Sequence, residues 1–248
     1  MSRDSDKAVQ AQRQYYADTA EQYDSMHAHE AGDDYANMKI ICALLRMVDA
    51  RTVLDVGAGT GRGLQHLRAN LPDLQVRGIE PVPALIEQAV RKNGIPQGTI
   101  IEGVGEALPF EDASFDVACS FGILHHIPNP ELVVREMLRV SGSAVIISDG
   151  NRFGQGTWPM RLLKLGLFKL GLWRIVNYLK TRGKGYLLTE GDGVAYSYSV
   201  YDSFDRITEW ADRIVLIPGE PGKVKSWFHP LLTAGTIIVC AMKEKTPR

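Results

Sequence analysis

Cysteine is scarce in this chain, and neither sign of charge prevails. The three cysteines, Cys42, Cys119 and Cys240, stand far apart inside apolar runs. No paired Cys/His spacing joins them, so no metal site is expected, and an odd count argues against a disulfide framework. Buried structural thiols in the cytoplasm are the expectation. The net charge is −1 over 248 residues, which gives no basis for nucleic-acid binding. No apolar run is long enough to span a bilayer. The polar segment Met1–Gln14 lacks the apolar stretch of a secretory signal. Internal repeats and low-complexity tracts are missing too. What is present is an ordinary globular composition, 45% hydrophobic and 23% charged, fitting one large domain or a domain with an insertion.

Periodicity divides the chain into four parts. Residues 1–48 read as N-terminal cap helices: 1–14 frayed or weakly helical, a helix from Tyr15 to Tyr23, a loop over Ala28–Asp34, and an amphipathic helix over Ala36–Val48. Residues 49–150 alternate strand and helix. Strands are expected at Thr52–Val56, Gln75–Glu80, Thr99–Glu102, Phe115–Ser120 and Ser143–Ser148, and helices at Gly61–Ala69, Pro83–Lys92 and Pro130–Val140. The rhythm breaks over 151–200, a segment rich in Gly, aromatic and basic residues. It resumes over 201–248 with a helix at Tyr201–Ala211 and strands at Arg213–Ile217 and Thr236–Met242. The fold class is therefore α/β: a doubly wound sheet with helices on both faces and a helical lid inserted after the fifth strand.

The most informative stretch is Val53–Gly63, V-L-D-V-G-A-G-T-G-R-G. A buried strand ends in an acid and turns through glycines into a helix, where a ligand can lie against bare backbone. The dinucleotide fingerprint G-x-G-x-x-G/A fails, because the third position is Arg62 or Leu64. A P-loop would need Gly-Lys-Ser/Thr, which is absent. Asp55 would repel a pyrophosphate and suits a ligand that carries positive charge. Glu80, at the end of the next strand in G-I-E-P-V, can accept hydrogen bonds from both hydroxyls of a ribose.

Together with Gly105–Asp116 (G-E-A-L-P-F-E-D-A-S-F-D) and the following F-G-I-L-H-H-I, these motifs resemble the class I S-adenosylmethionine-dependent methyltransferases, in their small-molecule, methyltransferase-11-like branch. The resemblance covers about Val53–Asp149. It implies a Rossmann-like seven-stranded sheet, mostly parallel with an antiparallel last strand. It also implies S-adenosylmethionine as cofactor and S-adenosylhomocysteine as product. By the same resemblance Gly57, Ala58, Gly59 and Gly61 flank the methionine and ribose, and Asp55 faces the ammonium. Glu80 holds the ribose hydroxyls, Pro81 or Val82 packs on adenine, and Ser120, Phe121 and Gly122 line the methionine side. Relatives often carry an acid for the adenine amino group where this chain has Val104; a water, a backbone carbonyl or Glu106 substitutes, or adenine is held more loosely, with the backbone N–H of Gly105 or Glu106 still meeting the base. Tyr16 and Tyr23, in a Y-x(6)-Y-D pattern, are expected to cover the cofactor, where an aromatic face favours a sulfonium.

Methyl transfer to a hydroxyl gains from a general base. Candidates are His125 and His126 after the fourth strand and Asp149 at the end of the fifth. Asn151, Tyr196, Tyr198 and His229 are candidates for acceptor contact, and His27 and His29 lie in segments that could fold over the site. The segment Trp158–Lys184 carries seven basic residues and no acid, interleaved with Leu, Phe, Trp, Ile and Val. A pair of basic amphipathic helices hinged at Gly166 or Gly171 is expected. It would serve as a lid, as a binder of an anionic substrate, or as a peripheral contact with a membrane. Tyrosines among Gly, Ser and Asp favour a sugar-like or natural-product acceptor, with a lipid-like acceptor or a cofactor-binding protein without transfer activity as alternatives.

Overall fold

Strands rich in Val, Ile, Ala and Cys, apolar on both sides, can only be satisfied between two layers of helices. The computed structural model, which describes residues 3–26, 31–189, 193–219 and 230–244, has this arrangement. Its elements run α1 (Arg3–Thr19), α2 (Tyr23–Met26), α3 (Ala31–Met47), β1 (Thr52–Val56), α4 (Arg62–Asn70), β2 (Gln75–Glu80), α5 (Pro83–Arg91), β3 (Ile100–Glu102) and β4 (Phe115–Phe121). They continue with α6 (Pro130–Val140), β5 (Ser141–Gly150), α7 (Trp158–Lys169), α8 (Trp173–Lys180), β6 (Tyr186–Thr189), β7 (Gly193–Tyr196), α9 (Phe204–Trp210), β8 (Arg213–Pro218), α10 (Pro230–Thr233) and β9 (Thr236–Met242).

The main sheet has seven strands in the order β3-β2-β1-β4-β5-β9-β8, with β9 antiparallel to both of its neighbours. Alternate residues face opposite layers. Val53 packs with Ile41 and Leu45 of α3, whereas Leu54 and Val56 pack with Val133 and Met137 of α6. All three cysteines are buried thiols. The order reverses between β1 and β4, so the crevice beyond their carboxyl ends is the natural ligand address.

Strand placement follows the sequence pattern closely; the differences lie outside the core. The helix before the sheet starts at Ala31 and runs through Gly32, where a loop was expected. The segment expected to be frayed is helical from Arg3, because α1 docks on the body: the Gln12 side chain bonds the backbone of Val194, and Ala20 packs with Val82 and Leu85. The expected helix at Tyr201 begins as a 3₁₀ turn over Val200–Asp202, closed by reciprocal capping between Ser199 and Asp202. In the insertion the two helices are hinged at Gly171, whose φ of 71° is left-handed, while Gly166 continues α7. The hairpin β6–β7 was not anticipated; its strands have four residues each and leave only Val194 deeply buried.

Among the described residues no helix is long and apolar enough to cross a membrane. The tightest packing constraint lies where the insertion leaves the sheet. A Cβ on Gly154 would fall 1.8 Å from the Ala234 carbonyl oxygen, backbone that cannot swing aside. Gly154→Ala should cost at least ~1–3 kcal/mol of stability, read as a drop in the thermal unfolding midpoint, whereas Gly59→Ala, with open space around its Cβ position, should show only the smaller strain of its positive φ.

Candidate active site

The glycine loop is shaped by three residues with left-handed backbone, Gly57, Gly59 and Gly61, at φ of 79°, 54° and 76°. Gly57 and Gly61 are also sterically required, since a Cβ would strike Ile123 or Ile95 within 3 Å. Gly59 differs. Its Cβ position meets nothing within 4 Å, and its N–H donates to Glu80 Oε2 at 2.9 Å. Glu80 Oε1 accepts from the Val82 N–H at 3.0 Å. One carboxylate at the end of β2 thus ties the loop after β1 to the turn before α5.

Asp55 and Glu80 are both deeply buried. Burial pushes the Asp55 carboxyl up to about 7, and the nearby Glu80 charge adds to the rise. Burial also pushes Glu80 up to about 7, against the opposing pull of the two N–H donors and of Arg13. Two acids held this far above their ordinary range want a partner that is cationic or rich in hydroxyl donors. Asp55 lies over the start of α4, where Gly63 leaves room for its carboxylate and for the Phe121 ring. Beside them the Ser120 hydroxyl is completely buried and has no hydrogen-bond partner among the described residues. A buried hydroxyl of this kind is open to a polar partner. A cavity of about 650 Å³ opens between α1 and the turn Pro81–Val82–Pro83. A second depression, of about 540 Å³, sits at the opposite, amino edge of the sheet, away from these groups.

The N-terminal segment closes the site from one side. Asp24 accepts from Thr60 Oγ1 at 2.6 Å and from Asn93 Nδ2 at 3.1 Å, and pairs with Arg62 at 3.5 Å. Tyr16 and Tyr23 pack edge to face with centroids 5.7 Å apart, and Tyr16 reaches the His126 ring at 6.0 Å. Gly105 and Glu106 follow β3, where Gly105 is held against Val56 and Val133. The L-P-F segment is fastened by Arg139, which donates to the Leu108 and Phe110 carbonyls and to Glu136.

The carboxyl ends of β4 and β5 carry His125, His126 and Asp149. His125 Nδ1 lies 2.8 Å from Asp149 Oδ1. The buried Asp149 carboxylate also accepts from the Leu124 and Gly150 N–H groups. His126 turns the other way: its Nδ1 meets the Val194 carbonyl at 2.7 Å, and so it holds the hairpin onto the sheet. The two adjacent histidines therefore differ in role, one oriented by a carboxylate and the other engaged with backbone.

Several acceptor candidates are placed differently from the expectation. Asn151 is fully buried; its amide donates to the Leu231 and Ala234 carbonyls at 2.8 Å, and its oxygen accepts from Phe153 N–H and Ser199. It is a scaffold residue that joins β5 to α10, not a group presented to an acceptor. Tyr198 is likewise buried, with its hydroxyl against Ser203, and burial raises its phenol. Tyr196 is half-buried beside Tyr186; its phenol oxygen is buried without a partner among the described residues, and burial pushes it up to about 12. His27, His29 and His229 lie outside the described residues. Sequence reading gave no role to two residues the geometry singles out, Asp24 and Gly63. Both stood inside quoted motifs, Y-x(6)-Y-D and G-R-G.

Residues 54–146 match the family described as "Methyltransferase domain" (methyltransferase-11). An uncharacterized methyltransferase of Mycobacterium avium is 37% identical over 102 residues, 40% of this chain and 39% of its own length. The demethylmenaquinone methyltransferase of Deinococcus radiodurans is 34% identical over 117 residues, 46% of this chain and 48% of its own length. The chain thus matches less than half the length of these curated relatives. Among solved structures, the DhpI–SAH complex superposes with a TM-score of 0.55 at 15% identity, covering 96% of this chain and 98% of the other. An O-methyltransferase structure of Nostoc punctiforme, its activity given there as putative, superposes at 0.54 and 18% identity, covering 92% and 60%. Residues 54–146 thus match the methyltransferase domain family, and the seven-stranded sheet has the fold of the methyltransferase structures it superposes on.

Proposed function

We propose that the chain binds S-adenosylmethionine against the glycine loop and Glu80 and passes its methyl group to a hydroxyl of a small-molecule acceptor, with His125 as general base. The observation that carries this reading is the His125–Asp149 pair, set at the same sheet edge as the two raised carboxylates. When bound, the cofactor supplies a sulfonium-activated methyl carbon. Everything else falls to the protein. Glu80 accepts from the ribose hydroxyls, Asp55 faces the ammonium, and Ser120 gains a polar partner. Asp149 fixes the proton on His125 Nδ1, which makes Nε2 the basic nitrogen. The hydroxyl proton moves to Nε2, and Asp149 stabilises the imidazolium.

A small-molecule acceptor is supported by the Deinococcus relative, whose name gives demethylmenaquinone as its substrate. The unpartnered phenol of Tyr196 supports a hydroxylated acceptor, sugar-like or otherwise. A lipid-like acceptor is favoured by a separate observation, the outward-facing apolar side chains of α7 and α8.

Three outcomes follow. Glu80→Gln keeps the shape and removes the charge; it should weaken S-adenosylhomocysteine binding by about 10–100-fold in calorimetry, and an unchanged affinity contradicts the ribose assignment. Asp55 and Glu80 are raised acids, so the ligand-free protein holds their protons more tightly than the unfolded chain does. That contribution to stability is present at low pH and is lost as pH rises through about 7. Binding needs the ionised forms, so affinity should fall from about pH 8 to about pH 6 with proton release on binding, and the slope should flatten in Glu80→Gln. His125→Ala should lower kcat by about 10²–10⁴-fold with the S-adenosylhomocysteine Kd unchanged; full activity in that variant removes His125 as the base.

A further inference from the structure

The insertion inverts the normal distribution of apolar surface. Among the described residues thirteen large hydrophobic side chains are exposed, and eleven of them lie between Trp158 and Leu188. On α8, Ile175, Tyr178 and Leu179 share a helix face and are 58–69% exposed. The opposite face is the one that docks, with Trp173 Nε1 donating to Ser197 Oγ at 3.2 Å. Leu162 and Leu163 of α7, Leu170 at the hinge and Leu188 of β6 extend the exposed set. Single exposed apolar residues are unremarkable, but a concentration like this marks an interaction surface.

The cations sort into two groups. Arg161 donates to the Gly156 and Leu232 carbonyls, and Lys164 to those of Arg152 and Gln155, so both are built into the fold. Lys169, Arg174, Lys180, Arg182 and Lys184 are exposed. None of them belongs to an ion pair among the described residues, and the stretch from Trp158 to Lys184 contains no acid.

We propose that this face, formed by α7, α8 and β6, docks on an anionic lipid surface. Protruding leucines enter the interface between headgroups and acyl chains, while the long basic side chains lie along it with their charged ends among the lipid phosphates. A second copy of the chain fits the face poorly, because an isologous contact would set five uncompensated cations against the same five. With no helix able to span the bilayer among the described residues, the element lies on the membrane. Resting on the methyl-transfer reading above, the consequence is an acceptor hydroxyl drawn from the bilayer.

The test needs no acceptor and so stands apart from the fate of that reading. The full chain is co-sedimented with vesicles of phosphatidylcholine and with vesicles of equal parts phosphatidylcholine and phosphatidylglycerol. Binding should be strong only to the second kind and should weaken with added salt. The combined variant Lys169→Glu, Arg174→Glu, Lys180→Glu should lower the partition coefficient by roughly 100-fold or more. Leu162→Ser with Leu179→Ser and Leu188→Ser should also release the protein. Both variants should keep the wild-type unfolding midpoint and S-adenosylhomocysteine affinity, since the changed side chains are solvent-facing. Equal binding to both vesicle types, or binding to neither, overturns the proposal. So does a concentration-dependent dimer, seen by sedimentation velocity and abolished by the same leucine changes, which would assign the face to a second copy.

Discussion

The Glu80 carboxylate is the interaction on which the rest of the site depends. Its two oxygens accept from the N–H groups of Gly59 and Val82, so a single side chain at the end of β2 sets the geometry of two loops. Buried ion-like groups are costly unless satisfied, and here the satisfaction comes from the backbone of two loops. The clamp therefore does two things. It holds the loop in a left-handed glycine conformation that a Cβ would block at Gly57 and Gly61, and it keeps a hydrogen-bond acceptor beside Gly59, which among these three loop glycines is the one with open space around it.

Around this clamp the chain adds covers from regions distant in sequence. Asp24 closes on Thr60 and Asn93, which ties the N-terminal cap to the far side of the glycine loop. Gln12 joins α1 to both His126 and Val194, so the cap and the hairpin meet over the carboxyl ends of β4 and β5. These contacts are polar, unlike the apolar packing beneath the sheet; those of Asp24 are part-buried and the Gln12–Val194 bond is buried. Elements held in this way open more readily than the core, and a ligand enclosed between them needs such a route in and out.

The sheet was legible in the sequence because its strands obey a simple rule: an apolar run flanked by turn residues, repeated with helices of clear period. Thr52–Val56, Gln75–Glu80, Pro130–Val140 and Thr236–Met242 fall where the pattern places them. The pairing of the glycine loop with Glu80 was legible for a related reason, since a glycine loop and an acid at a fixed separation bring the two strand ends together, and the Gly59 N–H does donate to Glu80. Asn151 was misread because its type and address suited acceptor contact, whereas its environment is set by Leu231, Ala234 and Ser199, residues no local pattern connects to it. The hairpin was missed for the same cause. Its strands are short, and it is stabilised by Gln12 and His126 more than by its own alternation.

Arg152 shows how the insertion can be firmly attached and yet present an apolar face outward. The guanidinium is buried among the rings of Phe153, Phe168 and Trp173, at 5.3–5.6 Å from each centroid. It pairs with Asp202 and donates to the Ser197 carbonyl. Burial pulls the Arg152 guanidinium down and the Asp202 carboxyl up despite their pairing. Desolvation thus opposes the pair's attraction, and its value lies in fixing position more than in adding stability. Phe168 of α7 and Trp173 of α8 are spent on that cage, one from each helix. Among the described residues the apolar side chains on the remaining faces stay exposed, and the lid's outer surface is set by the same contact that holds its inner one.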